Sequence, residues 1–535
     1  MGNNNQSVPP MESRRIVTLE ILLDRRVWTM LLLGFSAGLP LLLIFGTLSL
    51  WLREAGVERG VVTMFSWAAL GYSFKFVWAP LVDRLPLPFL TARLGKRRSW
   101  LLFAQGMIVV AMWWMSSIDP AQGDASLRWL ALAAVVLGFS SATQDIVIDA
   151  FRIESAEPRM QALLSSTYIA GYRIAMLVAG AGALLLAEGL GSLANDYNHD
   201  AWRITYRVMA ACMLVGIVTT LRVSEPARET TPDTVHGQNP RLLLLFVACV
   251  FGFVGCYIVT ADWAQTARSW LVDGLGNSAL AGTLVETVRL SAAVLVAWLV
   301  AQVLAMTRLV PLEVATAAYM APLREFFVRH GRHTAWLILG IIGLYRVSDI
   351  VLGVIANVFY YDLGFSKSDV AVVAKSFGLA MTILGGFAGG LLSFRFGVLR
   401  ILLLGALLSA ATNLLFMLMA SSGNSMAMLY AVIGADNLSA GLASAAFVAF
   451  LSALTNIRFT AVQYAIFSSL MTLLPKVMGG YSGSMVENMG YPGFFLTTAL
   501  LGIPVILLIL LASRHLDMEA PGRVKSGTGS SQKAG

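Results

Sequence analysis

Apolar segments of about 20 residues recur along nearly the whole chain, and this repetition constrains the fold more than any other feature. A helix of that length crosses a hydrocarbon core of ~30 Å, and only helices or closed barrels satisfy their backbone inside a membrane. The composition agrees, because 57% of the residues are hydrophobic and only 13% are charged. The sequence therefore predicts an all-α polytopic membrane protein rather than several soluble domains.

We expect about fourteen transmembrane helices from the lengths of these apolar runs. In order, they cover residues 28–51, 61–82, 100–118, 128–149, 162–187, 203–222, 241–261, 284–306, 335–358, 370–393, 399–420, 426–453, 460–484 and 492–513. Residues 1–27 form a polar N-terminal segment, and the Gly/Ser/Lys-rich residues 514–535 are predicted to be a disordered tail. Both termini are predicted to be cytoplasmic, because that orientation puts most of the lysines and arginines inside.

The net charge of +8 is explained by this positive-inside pattern, so we expect no nucleic-acid partner. The three cysteines, Cys212, Cys249 and Cys256, lie within apolar runs, where free cysteine behaves as a small hydrophobic residue. We therefore predict no disulfide, no metal site and no cofactor. The partners that remain are the lipid bilayer and a transported solute.

The most informative charges lie at the end of the fourth span. Asp145, Asp149 and Arg152 are spaced i, i+4 and i+7, which places them on one stripe of a helix. A single Asp or Arg at the middle of a membrane helix costs roughly 2.5–3.5 kcal/mol, so this stripe must face protein or water. Asp149, Arg152 and Glu154 lie near the cytoplasmic end, and we interpret them as a gate network.

Two cytoplasmic loops suggest an internal repeat. Asp83 and Arg84, followed by the basic run 93–98, resemble the signature loop of the major facilitator superfamily, and residues 395–400 are a weaker echo after the tenth span. Asp83 and Arg84 would act as a conformational latch, and simple positive-inside anchoring is the alternative for this loop.

Such a repeat predicts two six-helix halves related by an axis along the membrane normal. The halves would be residues 28–222 and 334–513, and residues 223–333 would be a linker carrying an extra central helix pair.

Several further stretches extend the resemblance to one family. The chain resembles the AmpG-type muropeptide permeases of the major facilitator superfamily in Phe35–Pro40, Phe74–Arg84, Gln144–Ala150, Gly171–Arg173, Leu344–Asp349 and Asn437–Leu438. The resemblance implies a monomeric symporter of the bacterial inner membrane that imports anhydromuropeptides with protons from periplasm to cytoplasm. It also implies a role in peptidoglycan recycling and, indirectly, in β-lactam resistance.

A peptide-bearing sugar would need cations for its carboxylates and amide side chains for its sugar hydroxyls and amides. Five cations fall within the predicted spans and are the candidates for the carboxylates: Lys75, Arg173, Arg346, Lys375 and Lys476. Gln144 and Asn437 are the amide candidates. The alternatives are salt bridges without a ligand role for the cations and ordinary helix–helix hydrogen bonds for the amides.

Proton coupling needs an acid that gains or loses a charged partner during transport. The candidates, in order, are Asp349, Asp145 and Asp436. A transporter of the same fold with another cargo, such as an acyl-CoA or a peptide, is a competing interpretation because fold does not fix the substrate. A polytopic membrane transferase is a second one, although the chain has no nucleophile motif on a loop. A phosphate-binding Gly-x-x-x-x-Gly-Lys-Ser/Thr motif is missing too, which argues against an ATP-driven pump.

Overall fold

The computed structural model describes residues 24–58, 65, 71–157, 160–193, 196–226, 239–275, 278–479 and 482–514. These residues form helices joined by loops, with one isolated β-bridge between Leu193 and Asp196. The prediction of an all-α protein is confirmed.

The α-helices vary from single turns to more than thirty residues. In chain order they are α1 (Arg25–Ile44), α2 (Gly46–Glu54), α3 (Gly71–Phe74), α4 (Ala79–Arg84), α5 (Leu90–Leu94), α6 (Lys96–Ser116), α7 (Asp124–Ser155), α8 (Gln161–Leu177), α9 (Ala183–Gly189), α10 (His199–Cys212), α11 (Leu214–Arg222), α12 (Asn239–Val259), α13 (Ala261–Leu275), α14 (Ser278–Met306), α15 (Leu312–Ala315), α16 (Ala321–His330), α17 (Arg332–Leu344), α18 (Val347–Asp362), α19 (Lys367–Val370), α20 (Gly378–Phe396), α21 (Val398–Ser422), α22 (Met426–Leu454), α23 (Thr460–Gly479), α24 (Ser482–Leu500) and α25 (Gly502–Ala512). Short 3-10 turns occur at Lys75–Val77, Pro120–Gln122 and Ile457–Phe459, and π-helical turns at Val178–Gly182, Thr316–Met320 and Ala371–Phe377.

Within the described residues, twelve helical segments are long and apolar enough to cross a membrane. They coincide with twelve of the fourteen predicted spans. Of the other two, span 61–82 includes residues outside the described ranges, at 61–64 and 66–70, and span 460–484 contains α23, which is not among the twelve. The number fourteen therefore stays a prediction, as do the cytoplasmic positions of the termini.

The first transmembrane segment is interrupted later than its proline suggests. Helix α1 continues through Pro40, whose missing N–H leaves the carbonyl of Ser36 without its usual partner. The break comes at Phe45, where φ is −101° and ψ is −92°, and α2 begins at the next residue. The small-residue stretch before Pro40 thus stays helical and is packed inside the protein.

The chain divides into two compact units. The first comprises residues up to Phe76, Leu87–Ala227 and the chain from His330 onward, and the second comprises Val77–Pro86 and Arg228–Arg329. The domain boundaries predicted from the sequence are a finer division, and they stay a prediction.

Close helix crossings organise the first unit. A Cβ atom at Gly171 of α8 would lie 1.9 Å from the carbonyl oxygen of Leu31 in α1, so only glycine permits this approach. Small residues of this kind let membrane helices pack backbone against backbone. The crossing fixes the part of α8 that carries Tyr172 and Arg173 against α1.

The second unit contains α4 and the helices from α12 to α16. Arg289 of α14 donates from Nη2 to the carbonyl of Tyr257 in α12 at 2.8 Å, and its guanidinium lies 4.5 Å from the centre of the Tyr257 ring. The sequence predicts two transmembrane helices in the insert, at 241–261 and 284–306, and α12 and α14 lie there. The structure has α13, α15 and α16 in addition, and the apolar pattern of α13 is interrupted by charges such as Asp262 and Asp273.

Candidate functional site

A buried ion cluster lies at the end of α7 in the first unit. Asp149 uses both carboxylate oxygens: Lys75 Nζ is 3.7 Å from Oδ2, and Arg152 Nη2 is 3.2 Å from Oδ1. Lys75 comes from the 3-10 turn after α3, whereas Arg152 lies one helical turn beyond Asp149 on α7. The sequence offers Lys75 no carboxylate on its own helix face, and its partner comes from another helix.

Arg152 connects the N-terminal and C-terminal halves of the first unit. Its guanidinium is fully buried, and Nη1 donates to Ser165 Oγ of α8 at 2.9 Å and to Ser452 Oγ of α22 at 2.8 Å. The same group lies 5.3 Å from the centre of the Tyr464 ring of α23. A single charged side chain therefore has partners in both halves.

A second contact between the halves joins α8 to α20. Ser166 Oγ donates to the carbonyl of Gly386 at 2.7 Å. A Cβ atom at Gly390 would lie 2.4 Å from Ser166 Oγ and 3.1 Å from the carbonyl oxygen of Ala162. This contact therefore depends on the missing side chain of Gly390.

Tyrosines lie around Asp145 and the preceding turn of α7. Tyr168 donates to Asp145 Oδ1 at 3.3 Å, and Tyr72 donates to Ser141 Oγ at 2.6 Å. The rings of Tyr168 and Tyr172 lie 6.1 Å apart. Hydroxyl donors and aromatic faces next to a carboxylate can bind a sugar through both its hydroxyls and its ring.

Gln144 of α7 is fully buried and faces α1. Its Oε1 accepts from Ser36 Oγ at 3.1 Å, and its Nε2 has no hydrogen-bond partner within the described residues. The oxygen thus makes the ordinary helix–helix bond that was the alternative to a ligand role, while the nitrogen is a donor in need of an acceptor.

The C-terminal half holds a second charged cluster. Arg346 donates from Nη1 to Ser444 Oγ at 2.6 Å, and its Nε is 3.9 Å from Asp349 Oδ2. Ser409 Oγ donates to Asp349, and Asp349 interacts electrostatically with Asp436. The side chains of Arg346 and Asp349 are 25% and 16% exposed, so neither is sealed inside the protein.

Arg173 and Arg346 bring two positive charges together from the two halves. They interact electrostatically, and both are only partly buried. Among the described residues, Arg173 has neither an ion pair nor a hydrogen bond to its side chain. Arg346 has Asp349 as its counter-charge, whereas Arg173 has none among the described residues, so Arg173 is the guanidinium that an anion can bind.

Comparison with known proteins identifies the family of this chain. The sequence profile of the Major Facilitator Superfamily matches residues 30–348. The anhydromuropeptide permease of Escherichia coli K12 is 30% identical over 500 residues, which cover 93% of this chain and 82% of that protein. The protein named transporter AmpG 4 of Rickettsia felis is 29% identical over 93% of this chain and 99% of its own length. The chain belongs to the AmpG-type family of the major facilitator superfamily.

Solved transporter structures share the fold of this AmpG-type chain. The proton:xylose symporter XylE bound to 6-bromo-6-deoxy-D-glucose superposes with a TM-score of 0.54 and 13% identity, covering 93% of this chain and 96% of that one. A bacterial homologue of the iron transporter ferroportin in an outward-facing state also gives 0.54, with 11% identity over 91% and 98% of the two chains. The AmpG-type chain is a multi-pass membrane transporter and not an enzyme.

The other residues predicted for the gate and latch of this AmpG-type chain fall into two groups. Glu154 accepts from Arg97 Nη2 at 2.6 Å and from Arg97 Nε at 3.0 Å, so it joins the end of α7 to the start of α6. Asp83 and Arg84 belong to the second unit, where Asp83 is buried and Arg84 donates to the carbonyl of Ala317. Their role as a latch stays a prediction.

Three candidate ligands remain, and of these the structure describes only the side chain of Asn437. Asn437 accepts from Thr382 Oγ1 at 2.9 Å and donates to the carbonyl of Ile433 at 3.0 Å, so both ends of its amide are engaged between α20 and α22. Lys375 lies in a π-helical turn. The side chains of Lys375 and Lys476 lie outside the described part of the structure.

Sequence reasoning missed the neutral side chains of the site. These are Tyr72, Tyr168, Tyr172, Ser165, Ser444, Ser452 and Tyr464. Serine and tyrosine are common in membrane helices, and only a position on the same helix face as a buried charge could have marked them. Ser165 lies on α8 and its charged partner Arg152 on α7, so the spacing of residues along one helix gives no sign of their contact.

Proposed function

We propose that this transporter imports anhydromuropeptides, N-acetylglucosamine–anhydro-N-acetylmuramic acid units with a stem peptide, together with protons across the bacterial inner membrane. The cargo matches the name of the Escherichia coli relative. The direction is from periplasm to cytoplasm, as peptidoglycan recycling requires.

The pair of Arg173 and Arg346 carries the assignment of an anionic cargo. Their mutual repulsion, from two different halves, raises the free energy of the empty site. A stem peptide with more than one carboxylate offsets that repulsion by binding both guanidiniums, and arginine suits planar carboxylates through bidentate hydrogen bonds. Tyr72, Tyr168 and Tyr172 provide hydroxyls and ring faces for the sugars.

Charge counting supports a proton site in the C-terminal half. Asp349 has Arg346 beside it, whereas Asp436 accepts from Thr412 Oγ1 at 3.2 Å and forms no ion pair among the described residues. In the N-terminal cluster, Lys75 and Arg152 balance Asp145 and Asp149. A carboxylate without a cationic partner inside a membrane protein is best neutralised by a proton, so we assign the transported proton to the pair of Asp349 and Asp436.

The Arg152 contacts support alternating access with a gate at the cytoplasmic end. The hydrogen bond to Ser452 crosses between the halves, whereas the one to Ser165 stays within the N-terminal half. Only the first must break when the halves separate at this end. Arg152 is then the gate side chain, and Ser452 is its partner.

Transport of labelled muropeptide by the purified chain in proteoliposomes tests the function. We expect uptake above the external concentration when the inside is alkaline, and equilibration to the external concentration when the gradient is collapsed by an ionophore. Free disaccharide amide, acyl-CoA and unrelated peptides serve as competitors. Accumulation that does not depend on the proton gradient would contradict proton coupling. Competition by acyl-CoA but not by unlabelled muropeptide would contradict the assignment of the cargo.

The gate can be tested with two matched serine variants. Hydrogen bonds to charged groups contribute about 1.5–3 kcal/mol, so Ser452→Ala is expected to shift the equilibrium roughly ten-fold or more toward the state open at the cytoplasmic end. Ser165→Ala removes an acceptor of nearly equal distance from the same nitrogen, and we expect little shift because that bond exists in both states. Electron–electron distance measurements between spin labels on the two halves give the populations. Equal shifts in both variants would contradict the assignment of Ser452.

A further inference from the structure

A large groove lies on the N-terminal half, away from Arg173 and Arg346. Its volume is about 1430 Å³, and it is bounded by the start of α1, the end of α7, and α11 with the segment that follows it. All of its lining belongs to the first unit. Under the predicted orientation, the groove opens at the cytoplasmic surface of the membrane.

One wall of the groove is apolar and exposed. Trp28 of α1 and Leu214 of α11 line it and are 54% and 55% exposed, and Leu32 and Val218 continue the same surface. All four lie on helices that are long and apolar enough to cross a membrane. A wall of this kind is matched to an acyl chain.

The mouth of the groove is positively charged. Arg25, Arg26 and Arg222 line it, and among the described residues none of the three forms an ion pair. Within the described ranges, these three guanidiniums make one side-chain contact, a weak 4.0 Å approach of Arg26 to the sulfur of Met160. Three unpaired guanidiniums at one membrane surface favour an anion.

The two acidic residues of the lining do not neutralise this mouth. Glu154 binds the guanidinium of Arg97, as described above. Glu225 accepts from the backbone N–H groups of Arg97 at 2.7 Å and Arg98 at 3.1 Å, at the N-terminus of α6. Both carboxylates are thus held by α6, and the arginines of the mouth keep their charge for a ligand.

We propose that this groove binds an anionic phospholipid of the cytoplasmic leaflet. Its phosphate lies against Arg25, Arg26 and Arg222, and one acyl chain follows the wall of Trp28 and Leu214. A lipid is favoured over free phosphate because the charged mouth is continuous with an apolar wall that water solvates poorly. Binding at this place ties the start of α1 to α11 and lies beside the Glu154 end of the gate helix α7.

Binding of labelled phosphatidylglycerol and phosphatidylcholine to the full chain in detergent tests the site. We expect the wild-type chain to prefer phosphatidylglycerol by about ten-fold or more, as anionic lipid at a polybasic surface should. In a chain with Arg25→Gln, Arg26→Gln and Arg222→Gln, the ratio of phosphatidylglycerol binding to phosphatidylcholine binding should fall toward one. A triple Lys variant at the same positions should keep most of it, which controls for folding.

A second triple variant controls for net charge. Arg53→Gln, Arg128→Gln and Arg203→Gln remove the same charge at the other ends of the helices, and this chain should retain the preference. An undiminished preference in the groove triple variant would overturn the proposal. Inorganic phosphate provides a further arm: if it binds alone and displaces all the lipid at millimolar concentration, the site is a phosphate site and the lipid assignment is wrong.

Discussion

An Asp349→Asn chain is expected to lose proton-driven accumulation, so that labelled muropeptide inside proteoliposomes rises to the external concentration and no further. Asparagine keeps an oxygen that can accept from Ser409, and it preserves the size of the side chain. It cannot ionise, and it leaves Arg346 without its acidic neighbour. The proton cycle should therefore stop, while exchange of labelled for unlabelled substrate across the membrane continues.

Asp362→Asn is the matched control for this experiment. Asp362 lies on the same helix, α18, but at its far end, where it is exposed and accepts from Tyr491. We expect this chain to accumulate substrate like the wild type. If Asp349→Asn still accumulates substrate with the wild-type dependence on external pH, the assignment of the proton to the Asp349–Asp436 pair is wrong.

Replacing Arg173 by Gln is expected to weaken binding of a muropeptide with free carboxylates by roughly 10–100-fold, since a hydrogen bond to a charged group contributes about 1.5–3 kcal/mol. An analogue with its peptide carboxylates converted to amides should lose less than about three-fold, because it has no charge for the guanidinium to recognise. Competition against transport of the labelled parent compound measures both affinities.

Arg203→Gln controls for the loss of one positive charge. Arg203 lies on α10, pairs with Asp200 at 3.0 Å, and has a side chain that is 41% exposed, so its removal should leave both affinities unchanged. Equal losses for the acid and the amide in Arg173→Gln would show that Arg173 has a structural role. Lys75 is the less promising carboxylate ligand, because Asp149 already holds it.

The sequence predicted those parts of the site that lie along single helices. Asp149 and Arg152 were predicted to share one stripe of a helix and they form an ion pair, and the salt bridge kept as the alternative for Arg346 is present with Asp349. The family resemblance is confirmed as well. Local periodicity is sufficient for such contacts because the helix itself brings the residues together.

Contacts between distant segments could not be predicted in the same way. Ser452 lies 300 positions after Arg152, and Lys75 reaches Asp149 from a turn that separates two helices. Neither pairing can be predicted from the hydropathy pattern of the sequence. The fully engaged amide of Asn437 is of the same kind, because its partner Thr382 comes from a neighbouring helix.

The backbone approach at Gly390 has a practical consequence for imaging the transport cycle. Any side chain at this position would collide with Ser166 and with the carbonyl of Ala162 when the halves meet as they do here. A side chain at position 390 fits only when α8 and α20 have moved apart. A bulky substitution there is therefore a way to trap the opposite conformation for crystallography or electron microscopy, without an inhibitor and without altering a charge of the cavity.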